Sequence, residues 1–456
     1  MPDRPNVLFL MSDEHRADVV GFAGNTVVRT PVLDELARTG VVFRNCYTPS
    51  PITVPTMPCL MAGQLPKTAH CEGWTDLEPG YPTWARVFAQ HAYATVACGR
   101  LMHQGFDMMQ GWTHRIGDDV ATRHLEGRVG EEFARYQRPF KDYKWSDAKE
   151  AKRAAAGRAH NAITDEYTVL GARNFIEKYF TDPMYDREQP GRPLVLRVGF
   201  LQPHYPYVAP REKLTWYLNR VEPYLDEPVF DHPFLSQRQV RPGVDASERE
   251  LRRATAAYYG MVEHIDDLYG QVLDALRHVG QDLDDWIVVY CSDHGEMLGE
   301  HGIWEKQKFF EGSARVPLLI RWPRRFAGGR VVTQNVNLCD LFATLCDLAG
   351  LPIPPGLDSR SLVPLLEGNA QGWNNESVSQ FGTTNLMIKR DHLKYQWYGP
   401  DMPEVLFDLE HDPLERQNVI DAPAHAEAVA AFRIRLAELG HGPNADPDYA
   451  GAGYGR

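Results

Sequence analysis

Two apolar runs in this chain each end in an aspartate, and the residues just beyond them are of types that hold a metal ion. Val7-Leu8-Phe9-Leu10-Met11 leads into Ser12-Asp13-Glu14-His15-Arg16. Trp286-Ile287-Val288-Val289-Tyr290 leads into Cys291-Ser292-Asp293-His294-Gly295-Glu296. Continuous apolar runs of strand length read as buried parallel strands. In open α/β sheets, ligands bind beyond the carboxyl ends of such strands. Asp13, Glu14 and Asp293 offer hard oxygens and His294 an imidazole, together a donor set for one divalent cation. Either aspartate alone could instead cap a helix or begin a turn; the two together favour the metal.

Further blocks carry polar residues between and after these runs. They are Asn45-Cys46-Tyr47-Thr48-Pro49-Ser50-Pro51-Ile52-Thr53-Val54-Pro55-Thr56-Met57 with Leu60-Met61-Ala62-Gly63, Gly99-Arg100-Leu101-Met102-His103, and Gln202-Pro203-His204-Tyr205-Pro206. Asp293 to Gly302 with Trp304 and Lys306, and then Glu311-Gly312-Ser313-Ala314-Arg315-Val316-Pro317, complete the set. In this order they resemble the blocks of the sulfatases, a branch of the alkaline phosphatase superfamily, over most of the chain. The resemblance implies a metal held by Asp13, Asp293 and His294, with Glu14 a further ligand. Thr53 would complete the sphere and act as nucleophile. Arg100 and Lys306 would clamp the non-bridging oxygens of an ester, and His204 would stand by the leaving group. His103 would lie beside the nucleophile, where relatives have a Gly-Lys-x-x-His segment. An oxygen-rich site with one imidazole admits manganese, calcium, magnesium or zinc, and relatives with His at this position point to manganese first. Taken alone, Arg100 and Lys306 read as surface charges and His103 as a core histidine. His70 and His301 are expected to be structural.

One position departs from the family. Sulfatases carry Cys or Ser where this chain has Thr53, in a Cys/Ser-x-Pro-x-Arg signature, and oxidise it to formylglycine. Threonine cannot form that aldehyde, because its β-carbon bears a methyl group, and the signature Arg is Met57 here. Cys59 falls six residues later, where the pattern has an ordinary helix residue. A threonine alkoxide can still attack phosphorus, and water can then attack the phosphoryl-enzyme. A sulfated plain alcohol would be inert. The expectation is a metal-dependent hydrolase of phosphodiesters or phosphonate monoesters. The alternatives are a sulfate ester hydrolase working without formylglycine and an inactive binding protein in which Thr53 merely caps a helix.

Composition frames these readings. The chain has 456 residues, 43% of them hydrophobic, and a formal net charge of −13; its mean hydropathy is −0.41. The acidic balance argues against nucleic acid or an anionic membrane as partner and leaves a small anionic ester possible through a local basic pocket. No apolar run reaches membrane-spanning length. Only Met1 to Asn6 precede the first strand, and seven cysteines lack paired spacing. A cytoplasmic enzyme with reduced thiols is therefore expected. Relatives of this size suggest a homo-oligomer.

The elements that must position these residues alternate between strand and helix. Val41-Val42-Phe43, Thr95 to Cys98, Leu194 to Phe200 and Leu318-Leu319-Ile320 read as further strands. Arg252 to Val279 and Leu338 to Leu348 have helical spacing. Such alternation predicts an α/β fold, a large mainly parallel sheet flanked by helices, alkaline-phosphatase-like by resemblance. After the Pro352–Pro355 turn and the Gly368–Asn375 linker, Ser377 to Tyr398 and Val405 to Leu409 read as antiparallel strands, and Ala422 to Leu439 as a closing helix. The division is a catalytic domain over 1–370 and a C-terminal subdomain over 371–456, ending in a loose tail. Arg115 to Gln189 is polar and aromatic and reads mostly as solvated surface helix. Tyr205, Tyr207 and Trp304 either line a substrate wall or pack the core.

Overall fold

The computed structural model describes residues 4–73, 75–103, 105–117, 148–181, 192–227, 230–443 and 445. Its first ten strands are β1 (Val7–Asp13), β2 (Val41–Tyr47), β3 (Ala94–Gly99), β4 (His114–Ile116), β5 (Ala155–Ala156), β6 (Leu194–Pro203), β7 (Val208–Ala209), β8 (Ile287–Ser292), β9 (Arg315–Arg321) and β10 (Arg330–Asn337). Eight of these form one sheet in the order β10-β2-β9-β8-β1-β6-β3-β4, with β5 and β7 paired separately. Only β9 runs against its neighbours β2 and β8; every other pairing in the sheet is parallel.

The continuous apolar runs are needed because both faces are covered. Along β1, Val7, Phe9 and Met11 enter one core, while Leu8 and Leu10 enter the other. β8 splits the same way, with Ile287, Val289 and Cys291 on one side and Val288 and Tyr290 on the other. The first core is closed by the helices Thr53–Ala62, Trp84–Gln90 and Asp340–Leu348, the second by His160–Thr181 and Glu248–His278. The last of these is the helix read from Arg252 to Val279. It starts four residues earlier because Ser247 and Glu250 form a reciprocal capping box. β10 escapes sequence reading: as an edge strand it mixes exposed and buried residues and carries few apolar ones.

The C-terminal part follows the expected pattern. β11 (Glu376–Phe381), β12 (Asn385–Arg390), β13 (Leu393–Trp397) and β14 (Val405–Asp408) form an antiparallel sheet in sequential order. The helix Ala426–Glu438 covers it through Val429, Phe432 and Leu436. Of the tail beyond it, residue 444 and residues 446–456 lie outside the described residues. Among the described residues, no helix is long and apolar enough to cross a membrane.

The expectation of a solvated helix between Arg115 and Gln189 is corrected for the described part of that span. Residues 118–147 and 182–191 lie outside the description, but the helix His160–Thr181 is a packed element. Val169, Ala172, Phe175 and Ile176 are buried against the sheet. Its pattern was hidden because Tyr167 and Leu170 face outward, which blurs the amphipathic period.

Candidate active site

The parallel register fixes the centre of the site. β1 pairs with β8 so that Ser12 lies opposite Ser292, which sets Asp13 and Asp293 side by side at the carboxyl edge. On the other flank Asp13 lies opposite Pro203 of β6, bringing up His204, and Gly99 of β3 lies opposite Gly199, bringing up Arg100. Neighbouring strand ends thus deliver most of the polar groups.

Thr53 arrives from a helix. Ile52 is the N-cap, in extended backbone, and Thr53 is the first helical residue; Pro55 fits the first turn, whose N–H groups have no intrahelical partner. The hydroxyl of Thr53 is therefore not a cap. It points into the cluster, 2.9 Å from His294 Nε2 and 3.5 Å from Asp13 Oδ1. Cys59 faces the core instead, and Met57 is buried there too.

Candidate ligand atoms of Asp13, Asp293 and His294 lie within 4.8 Å of one another, as do those of Asp13, Glu14 and His204. Their supporting bonds leave the right atoms free. Asp293 Oδ1 accepts the N–H groups of Glu14 at 2.9 Å and His294 at 2.8 Å, which leaves Oδ2 facing the cluster. His294 Nδ1 donates to the Gly295 carbonyl at 3.0 Å, so the Nε2 lone pair faces inward. Burial lowers the His294 pKa to about 4 and keeps it neutral, the form that binds metal. Burial and repulsion from Asp293 push Asp13 up to about 7 against the pull of Arg100. Asp293 is held below the usual range, because His294, Arg100 and the Glu14 N–H outweigh its burial. Glu14 Oε1 is buried and accepts no hydrogen bond among the described residues. Two adjacent buried carboxylates, a third with an unmet oxygen and a neutral imidazole fit one divalent cation.

Glu14 is held in a left-handed conformation, with φ of +67°. For a residue with a β-carbon this costs roughly 1–2 kcal/mol. The hydroxyl of Tyr258 holds it there, donating to the Glu14 carbonyl at 2.6 Å and accepting the Arg16 N–H at 2.8 Å.

The two expected clamps are engaged with the acids. Arg100 is ion-paired with Asp13, and Lys306 Nζ lies 2.7 Å from Glu14 Oε2. Burial would depress Lys306, but Glu14 and Asp13 outweigh it and keep the ammonium charged. His204 Nε2 lies 3.4 Å from the same Glu14 oxygen, and its Nδ1 donates to the Tyr205 carbonyl at 2.7 Å. Its side chain is 19% exposed, whereas those of Glu14 and Lys306 are closed off. His204 thus stands at the mouth.

The remaining expectations divide. His103 is fully buried and its charged neighbours are Arg115 and Arg197, which with burial lower its pKa; neither ring nitrogen has a hydrogen-bond partner among the described residues. Tyr205 lies against His204 with the two rings tilted by 39°, and Lys306 is 5.1 Å from its ring centre. Tyr207 donates to Glu296 and packs against Trp304, so these two belong to a core. His301 stacks on Phe310 away from the cluster, and His70 is exposed. Sequence reasoning missed Tyr258, and also Asn161 and Asp165, which hold the backbone around His204. Asn161 and Asp165 sit four apart on one helix, the one signal available in advance.

Comparison with known proteins places the chain in a family. The sulfatase family model matches residues 5–351, and the N-sulphoglucosamine sulphohydrolase C-terminal model matches 299–441. A choline-sulfatase of Rhizobium meliloti (strain 1021) is 32% identical over 447 residues, covering 94% of this chain and 86% of the relative. An arylsulfatase of Clostridium perfringens (strain 13 / Type A) is 27% identical over 469 residues, covering 96% and 94%. In fold, the chain is similar to the phosphonate monoester hydrolase of Agrobacterium radiobacter, with a TM-score of 0.78, 23% identity, and 96% and 95% of the two chains covered. With the sulfatase model running from the first strand through the polar cluster and a relative 32% identical over 94% of the chain, the chain belongs to the sulfatase family and is an ester hydrolase.

Proposed function

We propose that this enzyme hydrolyses monoanionic phosphorus esters, phosphodiesters or phosphonate monoesters, with Thr53 as nucleophile. The observation that carries the reading is the Thr53 hydroxyl, seated among Asp13, Asp293 and His294. Those three, with Glu14, would hold the cation, and manganese is the first choice for such mixed oxygen and imidazole donors. When bound, the cation supplies a Lewis acid that acidifies the Thr53 hydroxyl and offsets charge on the ester oxygens.

The chain's own residues account for the rest. Thr53 Oγ1, its proton passed to water beforehand, attacks phosphorus in line with the leaving oxygen, and the phosphorus–oxygen bond to the alcohol breaks. Arg100 and Lys306 border the cluster and offset charge on the non-bridging oxygens. Burial, Lys306 and Arg100 hold the His204 pKa well below its ordinary value. An ester anion beside it offsets those two cations and lets the ring hold the Nε2 proton that it gives to the departing alkoxide, while Nδ1 stays on the Tyr205 carbonyl. Neutral His204 then takes a proton from the water that attacks phosphorus and frees Thr53.

A second reading, a sulfate ester hydrolase, is favoured by the similarity to choline-sulfatase. Manganese-loaded protein would be offered nitrophenyl esters of four kinds: a phosphodiester, a phosphonate monoester, a phosphate monoester and a sulfate. The first two should turn over fastest, Thr53→Ser should retain activity, and Thr53→Ala should lose at least ~10³-fold. Preference for the sulfate would overturn the proposal.

A further inference from the structure

The backbone carrying His204 is gripped from a helix that family-pattern reading assigns no role. From His160–Thr181, Asn161 Nδ2 donates to the Tyr205 carbonyl at 3.2 Å and at closer range to the His204 carbonyl, at 2.5 Å. One turn on, the carboxylate of Asp165 accepts the N–H of Leu201 at 2.7 Å and of Gln202 at 2.9 Å. Both side chains are buried, Asn161 at 1% and Asp165 at 0% exposure. The Tyr205 carbonyl is shared: it accepts from Asn161 and also from His204 Nδ1. One acceptor thus fixes both the main chain and the imidazole ring. From the neighbouring helix Glu248–His278, His264 Nδ1 meets Gln202 Oε1 at 2.7 Å, so the turn is held from two helices.

We propose that Asn161 and Asp165 are positioning residues for the transfer of a proton to the leaving group, acting through His204. The inference rests on the role given to His204 above. Asn161 orients the carbonyl to which the ring is tied, and Asp165 fixes the strand end from which the turn departs. If Asn161 loses its donors, the Tyr205 carbonyl is free to rotate, and the imidazole turns with it. Misplacing a reacting group by about 1 Å can cost about 10²-fold, and general acid catalysis is worth about 10²–10⁴-fold. The loss should fall only on esters whose alcohol needs a proton to leave.

The experiment compares two phosphonate monoesters, one with nitrophenol and one with a simple alkyl alcohol as leaving group. Full-length manganese-loaded wild type, His204→Ala, Asn161→Ala and Asn161→Asp would be assayed. Asn161→Asp keeps the size of the side chain but has no donor, and it guards against the Ala variant failing to fold. His204→Ala should lose about 10²-fold or more on the alkyl ester and much less on the nitrophenyl ester. The Asn161 variants should show the same contrast, with a loss of about 10–100-fold on the alkyl ester and under about threefold on the nitrophenyl ester. Equal losses on both esters by the Asn161 variants, beside the expected contrast in His204→Ala, would overturn the positioning role alone. Absence of the contrast in His204→Ala would remove the role of His204, and the inference with it.

Discussion

Replacing Tyr258 by Phe tests how Glu14, the strained residue proposed as a ligand, is held. The Tyr258 hydroxyl satisfies the Glu14 carbonyl and the Arg16 N–H, at 2.6 and 2.8 Å, and the ring is fully buried. Phe keeps the ring and leaves both backbone groups unmet in a closed interior. Each such group costs about 1–3 kcal/mol, so the variant should lose about 2–6 kcal/mol. Tyr269→Phe is the matched control. Its hydroxyl bonds Ser12 Oγ at 3.0 Å, and Ser12 keeps Tyr290 at 3.1 Å, so the loss should be at most about 1.5 kcal/mol. Glu14 has a second consequence. Without its clamp, the backbone at φ +67° relaxes, and the N–H that supports Asp293 Oδ1 moves away. Supporting contacts of this kind are worth about 10–100-fold in metal affinity. Urea unfolding of the three metal-free proteins, with calorimetric manganese titration of each, reads both effects. If Tyr258→Phe matched Tyr269→Phe in stability and bound manganese as wild type does, the reasoning would fail.

Other outcomes follow from the same geometry. Chelation should abolish turnover and added manganese restore it, while Asp293→Asn should weaken manganese binding by at least ~10-fold in calorimetry; unchanged affinity would remove Asp293 from the ligand set. Cys59→Ala should leave turnover intact at a cost of roughly 1 kcal/mol, since the thiol is a core group. Mass spectrometry of the Thr53–Ala62 peptide should find both Thr53 and Cys59 unmodified, and an aldehyde at either would contradict the assignment. His301 is neutral in the fold, with its pKa lowered to about 4 by burial. Between pH 6.5 and 4 the unfolded chain takes up a proton that the folded chain refuses, so stability falls as pH drops through that window. His301→Asn should flatten this fall by up to about 3 kcal/mol, read from urea midpoints at each pH; an unchanged slope would refute it.

What could be read in advance, and what could not, follows from how each residue reaches the site. Asp13 and Asp293 were legible because each ends a strand buried on both faces, and such strands announce themselves as unbroken apolar runs. Their adjacency is a matter of sheet order, which two runs so far apart in the chain do not state. Thr53, His204 and Lys306 were found through motif blocks, not through periodicity. That Arg100 and Lys306 would sit on Asp13 and Glu14 was invisible, since pairing depends on which strand ends are neighbours. Tyr258 lies on the buried face of a long helix, where one hydroxyl among many apolar residues looks like packing. Asn161 and Asp165 act on backbone groups, and a side chain that serves only main-chain atoms leaves no partner residue to recognise.

The charge of the centre bears on substrate choice. Asp13, Glu14 and Asp293 face Arg100 and Lys306, so a divalent cation leaves one net positive charge among them, and the proton that Thr53 loses and the one that His204 holds cancel. A monoanionic ester neutralises that charge, whereas a dianionic phosphate monoester oversteps it. Met57, buried in the core where the family signature has Arg, adds no further charge. Sulfate esters are monoanionic too, so charge does not separate sulfur from phosphorus; the nucleophile does. Attack by Thr53 on a sulfate would leave a threonine sulfate, which has no aldehyde to revert to and an unreactive ester bond. Attack on phosphorus leaves a phosphorus centre that water can reach from the opposite side. Nitrophenyl sulfate in excess should therefore release no more than one equivalent of nitrophenol per site and leave a sulfo group on Thr53, visible by mass. The phosphonate ester should release nitrophenol continuously. Repeated turnover of the sulfate by wild type, lost in Thr53→Ala, would show that a plain threonine can discharge sulfate, and the argument from the nucleophile would have to be abandoned.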